Sequence, residues 1–172
     1  MDLRSERTIK WIEDTFVELT LTEGFSRVTV SEIANKAQIN RKTFYAHYLD
    51  KYDLAQKLAV QVLKRYKLLL DQRLIGTNIR LNSLIDSFLK KKENVRLLKA
   101  LFTIHTEEFD FEEEFSKLLV SQLKKHAKVT DPLEIEILVN IAITTGKYYL
   151  NSEESFSVDR QTGIIRSIQK LI

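Results

Sequence analysis

The segment Ile39–Lys51 (INRKTFYAHYLDK) concentrates side chains that could do chemistry. Its thirteen positions hold one histidine, three basic residues and three aromatic residues. An imidazole can exchange protons or bind a metal, cationic side chains can bind phosphates, and aromatic rings can fill a core. The segment could therefore serve catalysis, packing or recognition of a charged partner, and the rest of the chain decides among these roles.

The three histidines, His47, His105 and His126, do not have the spacing typical of metal ligands. The chain contains no cysteine, which excludes disulfides and thiolate metal sites. It also contains no glycine-rich phosphate loop and no G-x-S-x-G nucleophile motif. The sequence therefore predicts a protein that is not an enzyme and that holds neither a metal nor another cofactor.

Composition favours long helices. The chain has 172 residues, 44% hydrophobic and 30% charged, with only four glycines and one proline. Folds built from strands and turns need more glycine and proline residues in their turns, so an all-α fold is predicted. The N-terminal residues lack the apolar run of a signal peptide, and no stretch approaches the roughly 18 to 20 apolar residues of a membrane span. A cytoplasmic protein without a membrane partner is expected.

Capping residues divide the first third of the chain into four helices. Apolar residues at helical spacing predict a helix over Ser5–Leu21. Thr29, with Glu32 three residues later, forms a capping box that starts a second, short helix. Asn40 can cap a third helix, equally short, and Asp50 a fourth that continues to about residue 70. Two short helices joined by a three-residue turn, after a longer helix, indicate a helix-turn-helix.

The predicted third helix has two different sides. Phe44 and Tyr48 lie four residues apart on one side and are predicted to anchor the helix to its own domain. Trp11 is likewise predicted to pack between the first helix and its neighbours. The opposite side and its flanks carry small, polar and basic residues, namely Arg41, Lys42, Thr43, Tyr45, Ala46 and His47.

This outward side suits the major groove of DNA, because short side chains let the helix backbone approach the base edges. Arg41 and Lys42, in the first turn, are predicted to donate to guanine. Thr43 is predicted to touch a base or a thymine methyl group. Tyr45 and His47, on the flanks, are predicted to reach phosphates.

The distribution of charge along the chain also favours binding of DNA from the third helix onward. Residues 41–67 hold seven basic and two acidic residues, whereas residues 1–40 hold five basic and seven acidic ones. Lys51 opens the predicted fourth helix, where its charge and the free backbone N–H groups favour a phosphate. The basic residues from Lys57 to Lys67 are predicted to form a solvated helix face.

The remainder of the chain also reads as helical. Apolar stripes occur at residues 81–88, 97–102 and 111–119. The tripeptide Thr130-Asp131-Pro132 is a helix start, with proline at the first helical position. An apolar helix over Leu133–Leu150 and a last helix ending at Ile172 follow. The sequence therefore predicts about nine helices, and no segment has the pattern of a strand.

The stretch TVSEIANKAQINRKTFYAHYLDKYDL resembles the DNA-binding region of the TetR/AcrR family of bacterial transcriptional regulators. The resemblance spans about Arg7 to Leu58 and includes the IA-x-x-A core, the T-F-Y-x-H-Y run and the following lysine. Three positions depart from the family pattern: Gln38 replaces a common glycine, Asn40 a frequent serine, and Lys42 a small residue. The resemblance implies DNA contacts at Ser31, Arg41, Lys42, Thr43, Tyr45, His47 and Lys51.

The family resemblance also implies an architecture. Members are all-helical homodimers of about nine helices, usually repressors, in which the C-terminal part binds a small ligand and the last two helices pair with those of the mate. Here residues 1–50 would be the DNA-binding domain and residues 51–172 the dimerisation and effector-binding domain. The pairing helices would be residues 133–150 and 157–172, and a two-fold dimer predicts a palindromic operator.

Two questions stay open at this point. The acidic run EEFDFEEEF, residues 107–115, can be a solvated face or the rim of a site for a cationic ligand. Aromatic residues of the C-terminal part can either line a cavity or fill it. Those residues are Phe88, Phe102, His105, Phe111, Phe115, Tyr148 and Tyr149. The alternative function is that of a regulator with reduced DNA binding that acts through protein–protein contacts.

Overall fold

The computed structural model describes residues 3–74, 85, 88–152 and 154–169, and these residues are predominantly helical. They form eight α-helices, one π-helical turn and an isolated β-bridge between His105 and Asp110. The predicted all-α class is therefore confirmed, with a helix count close to the predicted nine. Most of the predicted stripe at residues 81–88, and the chain end at residues 170–172, lie outside the described residues.

The helices follow the predicted order along the chain. Helices predicted at Ser5–Leu21 and Leu133–Leu150 each extend one or two residues further at both ends. The described helices are α1 Leu3–Glu23, α2 Val30–Lys36, α3 Arg41–Tyr45, α4 Lys51–Leu74, α5 Lys92–Leu101, α6 Phe111–Gln122, the π-helical turn Leu123–Ala127, α7 Pro132–Asn151 and α8 Val158–Gln169.

The predicted capping residues start their helices. The hydroxyl of Thr29 accepts from the backbone N–H of Glu32, whose carboxylate accepts from the backbone N–H of Thr29. The side chains of Asn40, Asp50 and Asp131 each accept backbone N–H groups at the starts of α3, α4 and α7. These local signals were readable because a cap depends on residues within one turn of it.

Two turns within the first forty residues have a left-handed backbone. Gly24, just after α1, has φ +85°, and its N–H donates to the carbonyl of Thr20. Gln38, in the turn between α2 and α3, has φ +53°. A side chain in this region is strained because its Cβ approaches the backbone, so Gln38 takes a conformation that suits glycine better.

The chain divides into two compact units. The first comprises Met1–Lys64 with Arg96–Glu114, and the second comprises Arg65–Val95 with Phe115–Ile172. The first unit thus takes in more of the chain than the predicted DNA-binding segment 1–50. That functional boundary after residue 50 stays a prediction.

In the first unit, α1 packs on α2 and α2 on α3. The largest fully buried side chains of this unit are mostly apolar: Ile12, Phe16, Thr20, Val28, Ile33, Phe44, Leu54, Val62, Leu101, Ile104 and Phe111. The prediction that Trp11 packs against neighbouring helices is wrong, since 57% of this residue is exposed. Trp11 lies about 100° around α1 from Ile12, outside the buried stripe.

In the second unit, aromatic rings form two groups. Tyr66 meets the rings of Phe88 and Phe115 edge to face, and Tyr149 meets those of Tyr148 and Phe156. After α6 the backbone continues as the π-helical turn and then reverses at Lys128, which has φ +53°. Among the described helices, none has the length and apolar character needed to cross a membrane.

Candidate nucleic-acid interface

The turn between α2 and α3 brings the two short helices into close contact. The N–H of Ile39 donates to the carbonyl of Ala34 at 3.0 Å, across the turn. Ala34 and Ala37 are buried, and their small side chains allow this approach. The arrangement of α2, the turn and α3 is the predicted helix-turn-helix. We refer to α3, residues 41–45, as the reading helix.

The reading helix buries one side and exposes the other, as predicted. Phe44 has no exposed surface and Tyr48, three residues beyond the helix, is 5% exposed. Arg41, Lys42 and Tyr45 are exposed. A basic and aromatic surface therefore projects from an element that is fixed by its apolar side.

The remaining predicted contact residues lie at the edges of this surface. Ser31, in α2, is partly exposed, and so are Thr43 and His47. A guanidinium nitrogen of Arg41 lies 3.5 Å from the hydroxyl of Tyr45, one turn along the reading helix. These two side chains can therefore act together. The DNA contacts of the five residues, Ser31, Arg41, Thr43, Tyr45 and His47, stay predictions.

Lys51 begins α4, as predicted, but its ammonium group is partly engaged within the protein. It donates to the carbonyls of Phe25 at 2.9 Å and Ser26 at 3.2 Å and lies over the Phe25 ring. Burial lowers the pKa of Lys51, against the opposing effect of Glu32 and Glu108. An ammonium has three N–H donors, so one remains for the predicted phosphate.

The segment after the reading helix is held by α4. The carboxylate of Asp53 accepts from the backbone N–H of Leu49 at 2.9 Å and pairs with Lys57 at 2.9 Å. Partial burial raises the pKa of Asp53, but the hydrogen bonds from Lys57 and Leu49 outweigh it and hold the pKa below its ordinary value. Lys57 also donates to the carbonyl of His47 at 3.1 Å.

Comparison with known proteins identifies this region. The model of the bacterial regulatory proteins of the tetR family matches residues 14–58. These residues span most of α1, all of α2 and α3, and the start of α4.

The chain carries a TetR-family domain.

Solved structures share the fold over most of the chain. Native NalD, the secondary repressor of the MexAB-OprM multidrug efflux pump in Pseudomonas aeruginosa, has a TM-score of 0.66 and 20% identity, with 96% of each chain covered. A TetR transcriptional regulator from Streptococcus agalactiae 2603V has a TM-score of 0.62 and 17% identity, and the match covers 96% of this chain and 94% of that one. The SmeT–triclosan complex has a TM-score of 0.56 and 14% identity, and the match covers 84% of this chain and 78% of that one. At these identities the likeness shows the fold, and no curated protein matches by sequence.

Sequence reasoning missed one part of the TetR-family domain. Lys57 is exposed, as predicted, but it also contacts Asp53, His47 and the ring of Tyr48, whose centroid is 5.2 Å away. The spacing of Asp53 and Lys57, four residues apart on one helix, signals their ion pair. Nothing in the sequence signals that the pair faces the end of the reading helix.

The predicted pocket residues fall into both units. Phe102 and Phe111, with His105 nearby in the chain, belong to the first unit, where the two rings meet edge to face at 4.9 Å. Phe88, Phe115, Tyr148 and Tyr149 belong to the second. Whether any of them binds a ligand stays a prediction.

Two other features bear on ligands. Nδ1 of His105 lies 2.9 Å from a carboxylate oxygen of Asp110, which belongs to the acidic run at residues 107–115. The second unit has a surface cleft of about 360 Å³ lined by Thr144, Lys147, Tyr148, Asn151 and Ser152. Within the described ranges, no three His, Asp or Glu side chains are grouped to hold a metal ion.

Proposed function

We propose that this TetR-family regulator binds double-stranded DNA with the reading helix in the major groove. One observation carries the proposal: the reading helix buries Phe44 and exposes Arg41, Lys42 and Tyr45. Arg41 and Lys42 donate to base edges, with arginine suited to a bidentate contact with guanine. The first turn of such a helix is the part that enters the groove.

The other contacts position the domain on the duplex. Thr43 meets a base or a thymine methyl group, whereas Tyr45 and His47 reach phosphates on the two flanks. Ser31, in α2, reaches the sugar–phosphate backbone of the DNA. Lys51 offers its remaining N–H and the start of α4 to a phosphate.

The regulator acts as a homodimer through the last two helices, residues 133–150 and 157–172. Leu133 and Ile137 support this assignment because they lie one turn apart on α7 and are 65% and 49% exposed, and Ile164 of α8 is also exposed. Exposed apolar residues at helical spacing are typical of a surface that a partner covers. A two-fold dimer places two reading helices about 34–36 Å apart on a palindromic operator.

The regulator represses transcription and is released by a small molecule bound in its C-terminal part. Support comes from fold relatives: NalD is named a repressor, and SmeT is described in complex with triclosan. Such a ligand would have to enter among aromatic side chains that are buried in the structure, such as Phe88, Phe115 and Tyr149.

Selection of bound sequences from random DNA tests the proposal. The expected result is a two-fold symmetric consensus, with half-sites one helical turn or a multiple of it apart. Absence of any enriched sequence at low salt would overturn it. That outcome would favour a regulator that acts through protein–protein contacts.

A further inference from the structure

One polar stripe of α4 faces the end of the reading helix. Asp53, Lys57 and Gln61 are spaced by four residues, so they lie on the same side of α4. Each of them contacts a group outside α4. Polar groups of all three side chains are therefore engaged in contacts within the first unit.

Lys57 makes three contacts at the centre of this stripe. Its ammonium group lies 2.9 Å from the carboxylate of Asp53, 3.1 Å from the carbonyl oxygen of His47, and 5.2 Å from the centroid of the Tyr48 ring. The side chain is 48% exposed, so solvent weakens the ion pair with Asp53. Its direction is nevertheless fixed, because carbonyl, carboxylate and ring all receive one charged group.

The reading helix needs support from outside. It has only five residues, too few for a helix to be stable by itself. The backbone turns after Ala46, and the carbonyl of His47 accepts its hydrogen bond from Lys57.

Neighbouring contacts hold the same segment. Asp53 accepts from the N–H of Leu49 at 2.9 Å, and the hydroxyl of Tyr48 donates to Glu13 of α1, which also accepts from Gln61 at 3.4 Å. Residues 47–49 are thereby tied to two helices by side-chain contacts.

We infer that Lys57 is a positioning residue for DNA recognition: it orients the reading helix by holding the carbonyl of His47, and it does not itself touch DNA. This inference rests on the proposed function. A base contact tolerates little misplacement because hydrogen bonds are directional, so a shift at His47 weakens contacts with bases more than contacts with phosphates.

The experiment compares three variants on DNA selected by the wild-type protein and on scrambled DNA. Lys57→Met removes the charge and keeps most of the length of the side chain, and Lys57→Arg restores a donor. Lys64→Met is the matched control, since Lys64 is an exposed lysine seven residues further along α4. Fluorescence anisotropy over a range of KCl concentrations gives the affinity and its salt dependence.

We expect Lys57→Met to lose roughly tenfold in affinity for the selected DNA, the scale of one hydrogen bond to a charged group. Scrambled DNA should be affected no more than by Lys64→Met, and the salt dependence should match that of the wild type. Lys57→Arg should recover most of the loss. Melting curves establish that each variant is folded.

Three outcomes would overturn the inference. Equal preference for selected DNA in Lys57→Met and Lys64→Met would show that Lys57 does not position the reading helix. A salt slope lowered by about one unit in Lys57→Met alone would make Lys57 a phosphate contact. A wild-type protein without sequence preference would overturn the proposed function and this inference with it.

Discussion

The hydroxyl of Tyr48 donates a hydrogen bond to the carboxylate of Glu13 across 3.1 Å and so joins the end of the reading helix to α1. Gln61 of α4 donates to the same oxygen at 3.4 Å. Burial, reinforced by Glu13, raises the pKa of Tyr48, which keeps the hydroxyl protonated as the donor at neutral pH. One carboxylate on α1 thus fixes both the segment that follows the reading helix and the helix behind it.

Replacing Tyr48 by phenylalanine tests this contact. We expect the free energy of unfolding to fall by about 1 kcal/mol, since the partly buried carboxylate loses a donor. Tyr45→Phe is the control, because the Tyr45 hydroxyl is exposed and its contact with Arg41 is long, at 3.5 Å. Urea unfolding followed by circular dichroism measures both. Equal losses in the two variants would contradict a structural role for the Tyr48 hydroxyl.

The left-handed backbone at Gln38 predicts a stabilising substitution. With φ +53°, Gln38→Gly should raise the free energy of unfolding by about 1 kcal/mol, because glycine relieves the strain. Gln56→Gly, in the interior of α4, should instead lower it by about 1 kcal/mol. Thermal and urea unfolding give both values. The prediction fails if glycine destabilises the protein at both positions.

Base and phosphate contacts should separate in two variants. Arg41→Ala is expected to relax base preference at one position of each half-site, at a loss of about 1–3 kcal/mol on the preferred sequence. Lys51→Ala should weaken binding to all sequences alike and lower the salt slope by about one unit. It should also lower the melting temperature, because Lys51 holds the carbonyls of Phe25 and Ser26. Identical binding profiles for the two variants would argue against this division.

The carboxyl group of Asp53 should make stability depend on pH. Its pKa in the folded protein lies below the ordinary value of 3.8, so the folded state binds fewer protons than the unfolded state between the two pKa values. The stabilisation is therefore present above the ordinary pKa and is lost as the pH falls through the folded pKa.

Urea unfolding of the wild type and Asp53→Asn at steps from about pH 7 to about pH 3 measures this contribution. The difference in the free energy of unfolding should be largest near neutrality and shrink at the acid end. A difference that stays constant over the whole range would mean that the charge of Asp53 contributes nothing.

The proposed dimer predicts that a charge placed in its interface converts the dimer into monomers of lower mass. Ile137→Glu places a charge on the exposed apolar side of α7, and a buried unpaired charge disfavours association. We expect sedimentation velocity to show monomers for this variant and dimers for the wild type. Val60→Glu is the control, since Val60 is equally apolar, 60% exposed, and lies on α4 outside the proposed interface. A wild-type monomer at micromolar concentration would contradict the assignment.

Sequence patterns predicted the features that depend on near neighbours in the chain. Thr29, Asn40 and Asp131 were readable as caps because each bonds to a backbone group within three residues. Phe44 followed from helical spacing.

Features that depend on how helices pack were not readable. Lys57 reaches a carbonyl ten residues earlier in the chain, and the exposure of Trp11 depends on where the neighbouring helices lie. Gln38 is intermediate: the family pattern placed glycine there, but only the backbone shows that a glutamine takes the same left-handed conformation.

The π-helical turn at Leu123–Ala127 has a consequence for chain length. A π-helical turn is equivalent to one extra residue inserted into an α-helix. Deleting one residue there would restore the α-helical register and rotate the following side chains by about 100°. His126, whose Nε2 lies 3.1 Å from a carboxylate oxygen of Asp71, would then point away from it. The pairing of these two residues therefore depends on the number of residues in the π-helical turn as well as on their chemistry.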